Sequence, residues 1–244
     1  EIVFLILNTD DHILIADPEG EYAPLIEAMD GLGAVIRVAA GGKDRLNAMY
    51  MVDGYGENNP IVVKSQFIMS LVERIDPKGV GAKQKSIIDR CTGDLYEEAE
   101  QNSTVPTLAA LREKLMEQPE AEAREIALAL ELFTTGTLNV FSHQTNINSN
   151  NRLLCFDIQD LGENLKPVGL LVMLDAIFNR VIQNWKKGKT TWIFVDEFYL
   201  LFKYQYSAEF FYKLWKRIRK YRGLITGLTQ NLEELLRSDT ARLM

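Results

Sequence analysis

Two adjacent carboxylates follow an apolar run in the last quarter of the chain. Residues 190–195 (TTWIFV) lead directly into Asp196 and Glu197. The Trp, Ile, Phe and Val content of this run, and the Gly188 that precedes it, favour a β-strand. Its density of apolar side chains suits a central strand of a parallel sheet that is covered on both faces. Such a strand delivers the two acids to the carboxyl edge of the sheet, where open α/β proteins bind ligands.

The order of the two acids indicates a specific chemistry. An Asp at the end of such a strand can hold the magnesium ion of a bound nucleotide. A Glu in the next position can take a proton from an attacking water. Asp196 and Glu197 are therefore candidate catalytic residues of a nucleotide hydrolase, with Asp196 as the magnesium ligand. The alternative is a strand that ends in a solvated acidic turn, which is a common pattern.

Length and composition limit which folds and which kinds of binding site this chain can form. A chain of 244 residues with 47% hydrophobic and 25% charged residues can form one large α/β domain, or a core with a smaller insert. The net charge of -7 argues against a generally basic nucleic-acid-binding surface, but not against a local one. Cys91 and Cys155 lie in apolar patterns, which is typical of core residues in a reducing cytoplasm. Two histidines and no paired cysteines argue against a zinc site.

The alternation of apolar patterns predicts an α/β fold. Strand and helix patterns alternate at both ends of the chain, which is typical of a mostly parallel sheet flanked by helices. Between them, from residue 59 to residue 133, the periodicity is helical throughout. We predict further strands at 12–16, 34–39, 153–157 and 223–228. The predicted domains are a core of residues 1–58 and 136–244 and an all-helical subdomain of residues 59–135.

Polar residues end four of the predicted strands. They are Asp17, Asp157, the Asp196–Glu197 pair and the Thr229–Gln230 pair. In a parallel sheet these ends point the same way, so the side chains would share one rim. The set resembles the site of a RecA-like P-loop nucleoside triphosphatase, in which ATP and Mg²⁺ bind and a glutamine senses the terminal phosphate. Gln230 is the candidate sensor.

The sequence lacks the phosphate-binding loop that such a nucleotide site requires. This loop requires the pattern G-x-x-x-x-G-K-[ST] between a strand and a helix. Residues 183–190 have Gln183 in place of the first Gly and follow a helix, and residues 79–86 have Gln84 in place of the second Gly. We therefore expect the loop just upstream of Glu1, with residues 1–8 completing its helix. This interpretation makes the chain a fragment of a longer protein, inactive alone.

A basic helix precedes the last predicted strand. Lys213, Lys216, Arg217, Arg219 and Lys220 occupy one broad arc of residues 207–221, opposite an apolar side. An arginine here could reach the phosphates of a neighbouring subunit and stabilise the transition state. A solvated cationic face and a DNA-tracking surface are the alternatives. The arginine-finger candidates are Arg217, Arg219 and Arg222.

Several segments together resemble one family. The segment DPEGEY at residues 17–22 resembles the segment after the phosphate loop of HerA-type motors. Other segments resemble the secretion and conjugation branch: residues 136–141, 145–146, 151–153, 156–158, 195–198, 214–220 and 229–231. The chain thus resembles the type IV secretion or conjugative transfer ATPases of the VirB component-four kind (TraC/TrbE-like), in the HerA/FtsK superfamily of P-loop motors.

The resemblance implies a function for the whole protein. Members hydrolyse ATP to energise assembly of a secretion channel or pilus and the transfer of DNA or protein. They work as homo-oligomers, expected to be hexamers, with other channel components on the cytoplasmic face of the bacterial inner membrane. Asp17, Glu19 and Glu21 would then line the nucleotide site. The alternatives are a DNA-translocating pump of the same superfamily and a non-catalytic structural subunit that retains the fold.

Overall fold

The chain divides into two compact units. The computed structural model describes residues 1–76, 79–136, 138–147, 151–162, 165–203, 205–230 and 232–243. The first unit contains residues 1–39 and 147–244, and the second contains residues 40–146. The helical subdomain predicted from the sequence spans residues 59–135, and that domain assignment stays a prediction.

The first unit is built on one five-stranded sheet in which every strand pair is parallel. The strand order is β2-β3-β1-β4-β5, so β1 is central and β4 lies beside it. The predicted fold class, an α/β core with a parallel sheet flanked by helices, is confirmed. The strands are β1 (His12–Asp17), β2 (Gly33–Arg37), β3 (Leu153–Asp157), β4 (Thr191–Val195) and β5 (Gly223–Gly227).

Helices cover both faces of the central strand. Ile13 and Ile15 point to a core cluster that also contains residues of the first two helices. Leu14 and Ala16 point to the other face and are equally inaccessible to solvent. The helices of this unit are α1 (Ile2–Asn8), α2 (Ala23–Glu27), α8 (Lys166–Lys186), α9 (Gln205–Ile218), α10 (Leu232–Arg237) and α11 (Asp239–Arg242).

Two long helices return the chain from one strand to the next. α8 connects β3 to β4 and packs on β1 and β4, and α9 connects β4 to β5 and packs on α8 and β5. The apolar side predicted for the basic helix is confirmed, because Phe211, Leu214 and Ile218 are all buried. These crossovers leave the carboxyl ends of β1, β3, β4 and β5 on one edge of the sheet.

The second unit is helical in the part that the structure describes. A lysine lies at its centre: Lys64 is fully buried and its Nζ donates to the carbonyl oxygens of Ala48 and Tyr50, each at 3.1 Å. In the described residues of the whole chain, we find no helix with the length and apolar character needed to span a membrane. The helices of the unit are α3 (Pro60–Ile75), α4 (Ala82–Gln101), α5 (Leu108–Met116), α6 (Ala121–Ala129) and α7 (Glu131–Thr134).

Candidate functional site

The polar ends of the strands meet at the carboxyl edge of the sheet. Asp17 of β1 is paired in register with Asp157 of β3. The backbone N–H of Asp196 donates to the carbonyl oxygen of Ala16 at 3.0 Å, so the acidic pair begins beside the end of β1. The N–H of Leu228, after β5, donates to the carbonyl oxygen of Val195 at 2.8 Å. The four strand ends are therefore neighbours along one rim.

Asp196 and Glu197 form a tight turn at the end of β4. Glu197 has a backbone φ of 47°, in the left-handed region that residues with a side chain adopt at a cost of about 1–2 kcal/mol. Oδ1 of Asp196 accepts a hydrogen bond from the N–H of Glu197 at 2.9 Å, which helps to hold this conformation. Left-handed residues of this kind are concentrated at functional sites.

The two carboxyl groups lie in a strongly acidic environment. Burial raises the pKa of Asp196, and the charges of Asp17, Glu21 and Glu19 raise it further. Burial is also the main cause of the raised pKa of Glu197, followed by the charge of Asp196. Glu197 is 8% exposed, and within the described part of the chain its carboxylate has no hydrogen bond or salt bridge. Its oxygens are thus available to a water or a ligand.

Asp17 has a different environment, because its carboxylate is fully occupied by the protein. It is completely buried, and Oδ1 accepts hydrogen bonds from the N–H groups of Gly20 at 2.8 Å and Glu21 at 3.1 Å. Oδ2 accepts one from the N–H of Tyr22 at 3.0 Å and lies 3.6 Å from Sγ of Cys155. Asp17 therefore clamps the loop of residues 18–22, which carries Glu19 and Glu21, two further acids predicted to line the site.

The loop acids Glu19 and Glu21 are close enough to the acidic pair to change its pKa values. Oε1 of Glu19 accepts a hydrogen bond at 2.7 Å from Nζ of Lys166, a lysine that is 4% exposed at the start of α8. The charges of Glu19 and Glu21 raise the pKa of Glu197, whereas the nearby charge of Lys166 lowers it. The charges of Glu19, Glu21 and Lys166 therefore all influence the carboxyl group of Glu197 in the turn after β4.

Asp157 closes the rim on the side of β2. Its Oδ1 accepts a hydrogen bond from the N–H of Gln159 at 3.0 Å, and its Oδ2 lies 3.8 Å from Nε of Arg37. Burial raises the pKa of Asp157, and the charge of Asp17 adds to this effect. On the other side of the rim, Thr229 and the exposed Gln230 follow β5, next to the strand that carries the acidic pair.

Asp196 is the rim residue whose surroundings fit a magnesium ion held partly by a nucleotide. Within the described residues, no three His, Cys, Asp or Glu side chains form a metal-binding group. Mg²⁺ in nucleotide sites is usually held by one or two carboxylates together with phosphate oxygens and waters. Asp196, half-buried with only Oδ1 engaged by a neighbouring N–H, fits that role.

Comparison with solved structures identifies the fold. No protein-family profile and no curated protein sequence matches this chain. The structure of VirB4 of Thermoanaerobacter pseudethanolicus superposes with a TM-score of 0.72 and 20% sequence identity, over 88% of this chain and 85% of that chain. The chain has the VirB4 fold.

The same fold extends to conjugative coupling proteins. The plasmid coupling protein TrwB in complex with ADP and Mg²⁺ matches with a TM-score of 0.57 and 16% identity. TrwB with the ATP analogue ADPNP matches with a TM-score of 0.56. This chain spans 64% of the length of either TrwB chain, whereas it is itself covered completely. VirB4 and the coupling protein TrwB therefore share the fold of this chain.

The three candidate arginines do not join the acidic rim. Arg222 immediately precedes β5, and its carbonyl oxygen accepts a hydrogen bond from the N–H of Thr191, the first residue of β4, at 3.1 Å. Its Nη1 lies 3.3 Å from the carbonyl oxygen of Gly188. Arg219 begins the 3₁₀ turn that precedes Arg222, and Arg217 lies in the last turn of α9. In the VirB4 fold of this chain, Arg219 and Arg222 lie at the amino edge, opposite Asp196.

Sequence reasoning missed Lys166, a buried cation beside the acidic turn. A lysine in the first turn of a helix is disfavoured by the helix dipole, and that mismatch was the available signal. A cavity of about 190 Å³ also escaped the sequence analysis. It lies within the second unit, between the end of α4 and the start of α5, and none of its lining residues belongs to the sheet.

Proposed function

We propose that this chain is the nucleotide-hydrolysing core of a type IV secretion or conjugation motor, with ATP as the substrate. The observation that supports this most directly is the turn after β4, in a chain with the VirB4 fold. Glu197 of this turn is buried and has a left-handed backbone conformation, and its carboxylate has no hydrogen bond or salt bridge within the described residues. The likeness to TrwB structures that contain ADP with Mg²⁺ or ADPNP supports the choice of nucleotide.

Each residue of the rim has a proposed role. Glu197 is the general base that accepts a proton from the attacking water, and its raised pKa makes its carboxylate a stronger base than a free glutamate. Asp196 would hold magnesium, which when bound neutralises charge on the phosphate oxygens. Gln230 would sense the terminal phosphate. Glu19, Glu21, Asp157 and Thr229 would line the nucleotide site, with Asp17 holding the loop that carries the first two.

The arginines act between subunits in this proposal. Arg219 and Arg222 lie at the amino edge of the sheet, so they cannot reach a nucleotide bound at the carboxyl edge of the same chain. A head-to-tail ring brings the amino edge of one subunit towards the carboxyl edge of the next, which is the arrangement that an arginine finger needs. We therefore propose a homo-oligomer, with a hexamer expected from the family resemblance.

The wider assignment follows the same resemblance. The motor would work with other channel components at the cytoplasmic face of the bacterial inner membrane and energise transfer of DNA or protein. The 244-residue sequence contains no G-x-x-x-x-G-K-[ST] pattern. We therefore propose that the phosphate loop comes from sequence preceding residue 1, and that the isolated chain is inactive.

Replacement of the proposed base tests this function. In the full-length protein, we expect Glu197→Gln to lower the rate of ATP hydrolysis by about 10²–10⁴-fold, because the proton acceptor is lost. Nucleotide binding, measured by calorimetry, should persist. Glu27→Gln is the matched control, since the side chain of Glu27 is 70% exposed and makes only a surface contact with Arg37 at 3.7 Å. Unchanged hydrolysis in Glu197→Gln would refute the assignment.

A further inference from the structure

A phenylalanine next to the proposed base is packed directly on the backbone of the neighbouring strand. A Cβ atom added to Gly227, the last residue of β5, would lie 2.9 Å from Cδ1 and Cε1 of Phe198 and 3.0 Å from Cδ2. Carbon atoms do not approach one another so closely without displacement. The ring of Phe198 therefore keeps its position only because residue 227 is a glycine.

Two backbone hydrogen bonds hold the acidic turn on either side of this contact. The N–H of Leu228 donates to the carbonyl oxygen of Val195 at 2.8 Å, and the N–H of Phe198 donates to the carbonyl oxygen of Leu228 at 3.3 Å. Asp196 and Glu197 lie between these two attachments. The end of β5 thus fixes both ends of the turn that carries the proposed catalytic residues.

An aromatic cluster holds the ring of Phe198 from the other side. Its centroid lies 5.8 Å from that of Phe202, in edge geometry, and 6.4 Å from that of Phe211. Phe211 of α9 also contacts Phe202 and Trp215, each at 5.7 Å between centroids and in edge geometry. Such pairs add to the stability gained from burial alone. The ring is therefore confined between the strand and α9.

We propose that Phe198 is a positioning residue for Glu197. The carboxylate of Glu197 has no hydrogen bond or salt bridge in the described part of the chain, so its direction depends on the backbone of the turn. That backbone is held in a left-handed conformation by residues on either side. The Phe198–Gly227 contact supplies this restraint. The inference rests on the proposed function, because the orientation of Glu197 affects the reaction only if Glu197 is the general base.

Two glycines of the same sheet provide a matched test. In Gly227→Ala the added methyl displaces Phe198, whereas in Gly33→Ala it meets Cγ2 of Ile26 at 2.9 Å and Cδ2 of Leu153 at 3.1 Å, at the amino end of β2. Both variants should lower the midpoint of urea unfolding. In the full-length protein we expect only Gly227→Ala to reduce kcat for ATP hydrolysis, by about 10²-fold for a misplacement near 1 Å, with KM for ATP nearly unchanged.

A double-mutant cycle separates positioning from general damage. Phe198→Leu removes the ring without adding an atom to β5, and it should also lower kcat. With the ring absent, adding Gly227→Ala should cause little further loss, because both changes disrupt the same contact. Additive losses, or an equal fall of kcat in Gly33→Ala, would overturn the proposal. If Gly227→Ala does not fold, Phe198→Leu alone still makes the test through kcat and KM.

A measurement without turnover distinguishes this inference from the proposed function. The ¹³C and ¹⁵N backbone chemical shifts of Glu197 report its left-handed φ. We expect them to move away from left-handed values in Gly227→Ala and to stay constant in Gly33→Ala. Constant shifts in Gly227→Ala would refute the positioning role. A wild-type protein that does not hydrolyse ATP, but in which these shifts respond as expected, would refute only the proposed function.

Discussion

Replacement of Asp17 by asparagine tests the idea that this residue clamps a loop. The substitution keeps the shape of the side chain and changes one oxygen into an NH₂ group. Oδ1 can still accept from the N–H groups of Gly20 and Glu21. The new NH₂ group replaces Oδ2 and faces the N–H of Tyr22, so a donor meets a donor.

The size of the effect follows from these three contacts. A hydrogen bond to a charged group contributes about 1.5–3 kcal/mol, and a neutral one about 0.5–1.5 kcal/mol. Two bonds are weakened by about 1 kcal/mol each, and the third is lost with its partly buried N–H unsatisfied, at about 1–3 kcal/mol. The neutral amide is easier to bury than a charge, which offsets part of this loss. We expect the free energy of unfolding to fall by about 2–4 kcal/mol.

Urea denaturation of the purified chain, followed by circular dichroism, measures the change. Asp10→Asn is the control, because the side chain of Asp10 is 90% exposed and lies 3.8 Å from Lys189. A surface change of this kind alters stability by no more than about 0.5 kcal/mol. If Asp17→Asn unfolds within that margin of the wild type, the carboxylate does not hold the loop, and our interpretation of its three hydrogen bonds is wrong.

Two further predictions concern buried titratable groups. Burial, followed by the charges of Arg180 and Arg152, lowers the pKa of His12 to about 4 from 6.5. Between pH 6.5 and pH 4, His12 is therefore protonated in the unfolded chain but neutral in the folded chain. The free energy of unfolding should consequently fall as the pH drops from 6.5 towards 4. An NMR titration of the His12 ring checks the pKa, and a midpoint near 6.5 would contradict it. Cys91 and Cys155 are fully buried and burial raises the pKa of both thiols, so neither should react with a maleimide until the chain unfolds. Rapid labelling of native protein, detected by mass spectrometry, would contradict this expectation.

The main elements of the first unit could be predicted because their sequence patterns are local. Residues 190–195 are apolar and β-branched or aromatic, and they form β4 at Thr191–Val195. The sequence predicts a helix at residues 167–185, and α8 extends it by one residue at each end. The sequence also predicts one helix at residues 121–133, but the structure divides this segment into α6 and α7 at Leu130, where no glycine or proline marks a break. Tertiary packing decides such details, so periodicity could not reveal the division.

The details of the candidate site depend on contacts between distant segments. The clamp of Asp17 requires the following loop to fold back on it, and its contact with Cys155 joins residues from β1 and β3. The approach of Lys166 to Glu19 likewise joins the start of α8 to the loop after β1. The left-handed φ of Glu197 has no sequence signal, because glutamate rarely adopts it. The sequence therefore reveals which polar residues end the strands, but it does not reveal the contacts and the backbone conformation that orient them.

The central place of β1 affects the order in which this chain can fold. Its hydrogen-bonding partners in β3 and β4 begin at Leu153 and Thr191, so β1 is synthesised long before either neighbour. At about 5–20 residues per second, a ribosome takes several seconds or more to supply them. During that time an apolar strand with two unpaired edges is open to pairing with other chains. Long-range parallel pairing of this kind is intrinsically slow, so nascent β1 is a natural target for chaperones.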